Sequence, residues 1–188
     1  DAATRLGLAV HRLLQWLPTP DAGFDWTDVH AQAVAREFSL DAAARAQALA
    51  LAGRMRAGEA AWVWSAEAVD QADNEVELHH AGQPLRCDRV VRARADGAWW
   101  VLDFKTREHP GRDPALRAQL ARYRDALRSA QPGAPVRAAF IDNQGRLIEL
   151  PDALAANHRG DLPHRETARP AGRPPKPRPM ARGRRPWG

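Results

Sequence analysis

The sequence is poor in the residues that staple small secreted domains or carry a chain into a membrane. It has one cysteine, Cys87, which excludes a disulfide framework and a cysteine-built zinc site and fits a reducing cytoplasm. No apolar run is long enough to span a bilayer, and no secretory leader is recognisable, so no membrane is expected as a partner. The chain lacks an initiating methionine and enters a helical pattern within its first residues. A fragment of a longer protein is therefore expected. There is no internal repeat.

Positive charge is scarce where a core is expected and abundant beyond it. The net charge is +5, but residues 159–188 hold nine Lys/Arg against two acids, which leaves residues 1–158 at −2. The same terminal stretch holds seven of the fifteen prolines and almost no large apolar side chains, a composition too poor in buried surface to offset chain entropy. A domain over 1–158 followed by a disordered Pro/Arg-rich basic tail over 159–188 is the expected organisation. The high isoelectric point belongs to the tail and does not argue that the domain surface binds nucleic acid.

One stretch dominates what remains: Trp99-Trp100-Val101-Leu102-Asp103-Phe104-Lys105-Thr106. Aromatic and β-branched residues entered from Asp96-Gly97 read as a strand. Alternation puts Trp99, Val101, Asp103 and Lys105 on one face, with Trp100, Leu102, Phe104 and Thr106 on the other. A carboxylate and an ammonium at the end of an apolar run are costly unless paired or engaged with a metal. Residues 84–92 read as the preceding hairpin arm. A turn centred on Asp96-Gly97 places Asp88 opposite Lys105, or within a residue of it, on the face of Asp103.

The rest of the chain frames that hairpin. Residues 2–17 carry an apolar stripe of Leu6, Val10, Leu13, Leu14 and Leu17 and read as a helix ended by Pro18 and Pro20. His11 lies beside the stripe, and from the helix alone it reads as a core-edge histidine. Residues 27–38 and 41–57 read as two more helices, capped by Thr27 or Asp25 and by Ser39. Trp62-Val63-Trp64 fits a short strand or a helix end. Residues 75–80 alternate and read as the first strand, turning at Ala81-Gly82. His79 and His80 point to opposite faces of it, so they read as a solvated edge pair rather than joint metal ligands.

A helix over 114–129 has the seam Leu116, Leu120, Tyr123 and Leu127, with Gln119 beside it. Periodicity alone makes Tyr123 a core residue and Gln119 a solvated flank. Residues 135–141 and 146–150 read as a hairpin across Asp142-Asn143-Gln144-Gly145. Helices, three strands, a helix and two strands give an α+β domain with a mixed, largely antiparallel sheet flanked by helices.

A face carrying Asp88, Asp103 and Lys105 suits phosphodiester hydrolysis with a hard cation. Two carboxylates at the ends of adjacent strands hold Mg²⁺ while leaving positions for water and substrate oxygens, and a lysine beside them stabilises developing charge. The competing reading is a cross-strand ion pair worth about 0.2–1 kcal/mol.

Five segments in order extend the pattern: Gly7-x-x-x-His11-x-x-Leu14-Gln15, Glu75-Val76-Glu77-Leu78, Arg86-Cys87-Asp88-Arg89-Val90-Val91, Val101-Leu102-Asp103-Phe104-Lys105-Thr106, and Gln119-Leu120-x-x-Tyr123. Over residues 5–150 this resembles the C-terminal nuclease domain of RecB/AddA-type helicase–nucleases (exonuclease V beta-subunit-like). That is a branch of the PD-(D/E)xK superfamily with the restriction-endonuclease-like fold, and Gln15 and the 136–150 hairpin lean toward the AddA side. The resemblance implies that His11, Asp88, Asp103 and the Phe104 backbone carbonyl ligate Mg²⁺, with Mn²⁺ able to substitute. It makes Lys105 the catalytic lysine, Gln119 and Tyr123 a helix motif lining the site, and Glu75 a supporting acid. Many relatives have glycine where this chain has Leu85, and the loop from Lys105 to Gln119 is short for the family; neither departure removes a metal ligand.

The expected function is a DNA exonuclease domain serving double-strand-break resection and recombinational repair. Its partners would be single-stranded DNA, helicase domains of the same parent chain and a second nuclease or helicase subunit. The alternative is a nuclease-fold module without turnover, serving as a DNA-binding or subunit-docking platform.

Overall fold

Two faces of one sheet, each covered by helices, organise the computed structural model, which describes residues 1–18 and 23–152. The order is α1 (Ala2–Gln15), α2 (Asp28–Glu37), α3 (Ala42–Ala57), a 3-10 turn (Glu59–Trp64), β1 (Val69–His80), β2 (Gln83–Ala93), β3 (Trp99–Phe104), α4 (Pro114–Ala130), β4 (Val136–Ile141) and β5 (Leu147–Glu149). The strands lie in sequence order. All neighbours are antiparallel except β3 and β4, which are parallel because α4 carries the chain back between them. The expected α+β architecture is the one observed. The basic tail expected over 159–188 lies outside the described residues.

Helix α1 starts where the Asp1 carboxylate accepts a hydrogen bond from the Thr4 N–H at 2.8 Å. It buries Ala9, Val10, Leu13 and Leu14. Helix α2 is entered through Thr27, whose N–H donates to the His30 ring at 3.1 Å. The cap of α3 is Asp41, which accepts from the Ala44 N–H at 2.8 Å, and not Ser39. Ser39 takes a left-handed conformation, φ 52°, as the chain leaves α2, so capping falls to the next short acceptor. Trp62-Val63-Trp64 ends the 3-10 turn, settling a segment that periodicity left open. Among the described residues no helix is long and apolar enough to cross a membrane.

Helices α1 and α3 and the 3-10 turn cover one sheet face, with Val91, Trp100, Leu102 and Phe104 beneath them. Helix α4 covers the other, above Val90, Val101, Ala138 and Phe140. The first layer is pinned by a backbone contact between the end of α3 and the β4–β5 turn. The Ala60 N–H donates to the Gly145 carbonyl at 2.9 Å. A Cβ on Gly58 would stand 2.6 Å from the Gly145 Cα, so the two chains meet where neither carries a side chain.

The β1–β2 hairpin turns over part-way along. On β1, Ala72 and Asn74 face the α1 layer, whereas Val76 and Leu78 face the α4 layer. Simple alternation would keep all four on one side. Glu75, with φ 53°, lies between the two sets and inverts the strand. On β2 the same inversion separates Arg89 and Val91, which face the 3-10 turn and the α1 layer, from Cys87, which belongs to the α4 layer.

The β2–β3 turn is wider than Asp96-Gly97 suggested. The Ala93 N–H donates to the Ala98 carbonyl at 2.9 Å, closing a four-residue loop, residues 94–97. The last ladder pair is Arg89 opposite Leu102, which brings Asp88 level with Asp103. Asp88 is therefore two positions from Lys105, one beyond the place expected for it, opposite Lys105 or within a residue.

Candidate active site

The sheet end formed by β2 and β3 gathers two carboxylates, a lysine and, from α1, a histidine. Asp103 is 4% exposed and shares its face with Val101. Lys105 stands two residues on, its Nζ 3.0 Å from Oδ1 and 2.8 Å from Oδ2 of Asp103. Only the contact to Oδ1 is aligned as a hydrogen bond; buried Oδ2 has no hydrogen-bond partner. Asp88 accepts the Phe104 backbone N–H at 2.6 Å, and its Oδ2 lies 3.4 Å from His11 Nε2. The other ring nitrogen of His11, Nδ1, faces the Gly7 carbonyl at 2.8 Å. A carbonyl and a carboxylate are both acceptors, so without an ion this geometry favours the doubly protonated ring.

The electrostatics follow from that crowding. Burial opposes the His11 charge, but the Asp88 carboxylate and the Gly7 carbonyl outweigh it and hold the ring's pKa at about 9. Burial first, and the Asp88 charge second, push Asp103 up to about 7 against the pull of Lys105. Asp88 goes the other way. Burial works against it, yet the hydrogen bonds and charge of His11, the Phe104 N–H and the Asp103 carboxyl hold it below the ordinary carboxylate range. The pair thus divides into one firmly ionised carboxylate and one that gains a proton near neutrality. Cys87, buried beside Asp88, is pushed up to about 12, chiefly by burial, and is no nucleophile.

Helix α4 closes the far side. Gln119 Nε2 donates to the Tyr123 hydroxyl at 2.9 Å. Burial, then the charges of Asp103 and Asp88, raise the Tyr123 pKa, which puts that ring within electrostatic reach of both carboxylates. Tyr123 is buried, as periodicity expected, but Gln119 is not a solvated flank; it is half-buried and holds the tyrosine oxygen. Glu75 sits at the hairpin inversion level with Asp88, and its carboxylate is turned to Arg86 Nε at 2.7 Å. Asp103 contacts Lys105, Asp88 contacts Phe104 and His11, and the strand register brings the two sets level; Gln119 and Tyr123 form the adjoining wall; Glu75 stands one ion pair away.

The expected ligand set is gathered but does not form a cage. Among the described residues no three His, Cys, Asp or Glu side chains are arranged to hold an ion, because His11 is turned onto Asp88 and Lys105 onto Asp103. Phe104 meets Asp88 through its N–H and not its carbonyl. The donor chemistry still fits a hard divalent cation. Two carboxylates lie level on adjacent strands, burial and then the charge of Asp88 drive Asp103 toward neutrality, and buried Asp103 Oδ2 has an ion-pair contact to Lys105 but no hydrogen bond, all of which favour an oxygen-seeking positive charge.

Sequence reasoning missed the support behind these groups. Arg89 is fully buried and donates to the Val63 carbonyl and to Asn74. Its only sequence signal is an arginine placed in the apolar run that follows Asp88. Asp142, also fully buried, binds the Gln144 and Arg146 N–H groups and the Arg146 guanidinium, fixing the β4–β5 turn.

An acid at the end of one central strand, with Asp-x-Lys on the next, is the arrangement that gives one nuclease group its name, and residues 1–178 match the PD-(D/E)XK nuclease superfamily. The chain belongs to that superfamily. As a PD-(D/E)XK protein it has the restriction-endonuclease-like fold, with the mixed five-stranded sheet and flanking helices described above. No curated protein matches it in sequence. Among solved structures, the crystal structure of SSO0001 is 17% identical, with 84% of this chain and 70% of that one covered at a TM-score of 0.29, a likeness too slight to bear on fold or function.

Proposed function

We propose that this PD-(D/E)XK chain is a Mg²⁺-dependent deoxyribonuclease domain of the RecB/AddA type, working on single strands delivered by a helicase motor in break resection. The observation that supports it is the level placement of Asp88 and Asp103 with Lys105 one step beyond them. His11, Asp88, Asp103 and the Phe104 carbonyl would hold the cation. Bound there, a divalent ion supplies Lewis acidity to the phosphoryl group and lowers the pKa of a water.

The remaining work falls to side chains. Lys105, held by Asp103, presents ammonium protons to the phosphoryl oxygens, where charge grows in the transition state. Without an ion Asp103 sits at about 7 and ionised Asp88 fixes the His11 ring; with a cation bound, both carboxylates would stay ionised and the His11 ring would be released to its neutral, ligating form. Tyr123 accepts its hydrogen bond from Gln119, so its own O–H is left to donate toward the substrate. Glu75 acts at a remove, through Arg86 and the hairpin inversion. Helicase domains of the same parent chain, a second subunit and a cytoplasmic location belong to this reading.

A second reading is a platform without turnover, and the engagement of both carboxylates by basic side chains favours it. Strand cleavage with Mg²⁺ or Mn²⁺, run beside calorimetric metal titration, separates the two. Asp103→Ala is expected to abolish cleavage. Lys105→Ala should keep metal binding and lose about 10²–10³ in rate. Parental cleavage by Asp103→Ala would move the active site elsewhere. A parent that binds metal and DNA and never cuts, even when joined to its motor, leaves the platform.

A further inference from the structure

A buried guanidinium is costly unless its donors are met, and each nitrogen of Arg89 finds an acceptor beside the hairpin. Its Nε and Nη2 donate to the Val63 carbonyl at 3.2 and 2.9 Å, its Nη1 to Asn74 Oδ1 at 2.6 Å, and it lies 5.8 Å from the centre of the Trp64 ring. Asn74, directly opposite on β1, passes the connection on. Its Nδ2 donates to the Gln15 carbonyl at 3.1 Å and reaches that of Leu17 at 3.4 Å, at the end of the helix that carries His11. The next residues along the two arms are Glu75 and Asp88, where the hairpin inverts. Behind them Trp64 lies against Phe104, and Phe104 against His11, each pair with centroids 6.0 Å apart.

We propose that Arg89 and Asn74 are positioning residues for Asp88. By holding one side of the inversion against α1 and the 3-10 turn, they force β2 to roll at Asp88 and so aim its carboxylate at the Phe104 N–H and at His11. Isolated apolar packing at these two positions would fill the same space and leave the roll unanchored. The consequence for metal binding rests on the nuclease reading; the geometry does not.

The test uses the full chain and two changes. Asn74→Asp keeps an acceptor for Arg89 but removes the donor to α1. Arg89→Met with Asn74→Leu removes both polar partners together, which leaves no orphaned charge. Mn²⁺ titration calorimetry is run beside thermal melts in EDTA. The expected result is an Mn²⁺ affinity about tenfold weaker in both proteins, with the double variant melting close to the parent. Affinity that stays at the parental value, or returns in the double variant along with stability, makes the pair structural only and overturns the proposal. A parent that takes up no Mn²⁺ defeats the nuclease reading by itself. Hydrogen exchange at the Phe104 amide then decides: lost protection in both variants sustains the positioning role, and unchanged protection ends it.

Discussion

Asp103 is the residue on which the chemistry and the stability of this site pull in opposite directions. Its pKa is raised from the ordinary 3.8 to about 7, so the folded state favours the protonated form. Its contribution to stability is complete below about 4 and is lost as pH rises through about 7. His11, raised from 6.5 to about 9, loses its contribution from about 6.5 through 9, in the same direction. The metal-free protein should therefore grow less stable from pH 5 to pH 9. Asp103→Asn, which cannot ionise, should flatten the part of that decline below pH 7 and raise stability at pH 8. Urea unfolding in EDTA at spaced pH values reads both effects. An unchanged slope in Asp103→Asn would mean that the carboxylate pair is not the source of the strain. None of this is visible in the sequence, where an ordinary cross-strand Asp–Lys ion pair is the competing reading.

At the scale of elements, much of the fold is legible. The aromatic and β-branched run makes β3, the 3.6 period makes α1 and α4, and Ala81-Gly82, both at positive φ, turn the first hairpin. What escapes has local physical causes. Asp96-Gly97 is a strong two-residue turn signal, but the closing pair is Ala93 with Ala98, and a shift of two positions moves Asp88 from Lys105 to Asp103. Glu75 carries no mark of a left-handed residue, since glutamate there is stabilised only by what surrounds it. The close approach of α3 and the β4–β5 turn is similarly tertiary, although glycine at both positions is a trace of it. Gly145 has φ 73°, and a Cβ there would stand 2.6 Å from the Arg54 carbonyl oxygen and 2.9 Å from that of Met55. Gly145→Ala combines a left-handed alanine with overpacking against backbone, about 3 kcal/mol together. A melting temperature lower by about 10 °C is expected. A change of less than a degree or two would show that the two backbones are not in contact.

For the whole molecule, the division of charge makes a prediction of its own. Residues 159–188 carry seven net positive charges against −2 for the rest. Their removal should leave the melting temperature in place and weaken binding to single-stranded DNA most at low salt. The plot of log affinity against log salt should become shallower by about 5, at about 0.7 per charge meeting a phosphate. An unaltered slope would mean that the basic segment does not touch the nucleic acid. The domain, for its part, is assembled from contacts of very different reach. Strands β1, β2 and β3 follow one another through tight turns, so Asp88 and Asp103 meet as soon as that meander closes, while His11 must arrive from the far end of the chain and β4 must wait for all of α4. Loop-closure entropy favours the short-range pairings first. A folding chain therefore brings Asp88 and Asp103 together with only Lys105, two residues on, as a local counter-charge, and Asp88 waits for His11 to dock from α1 before its own charge is matched.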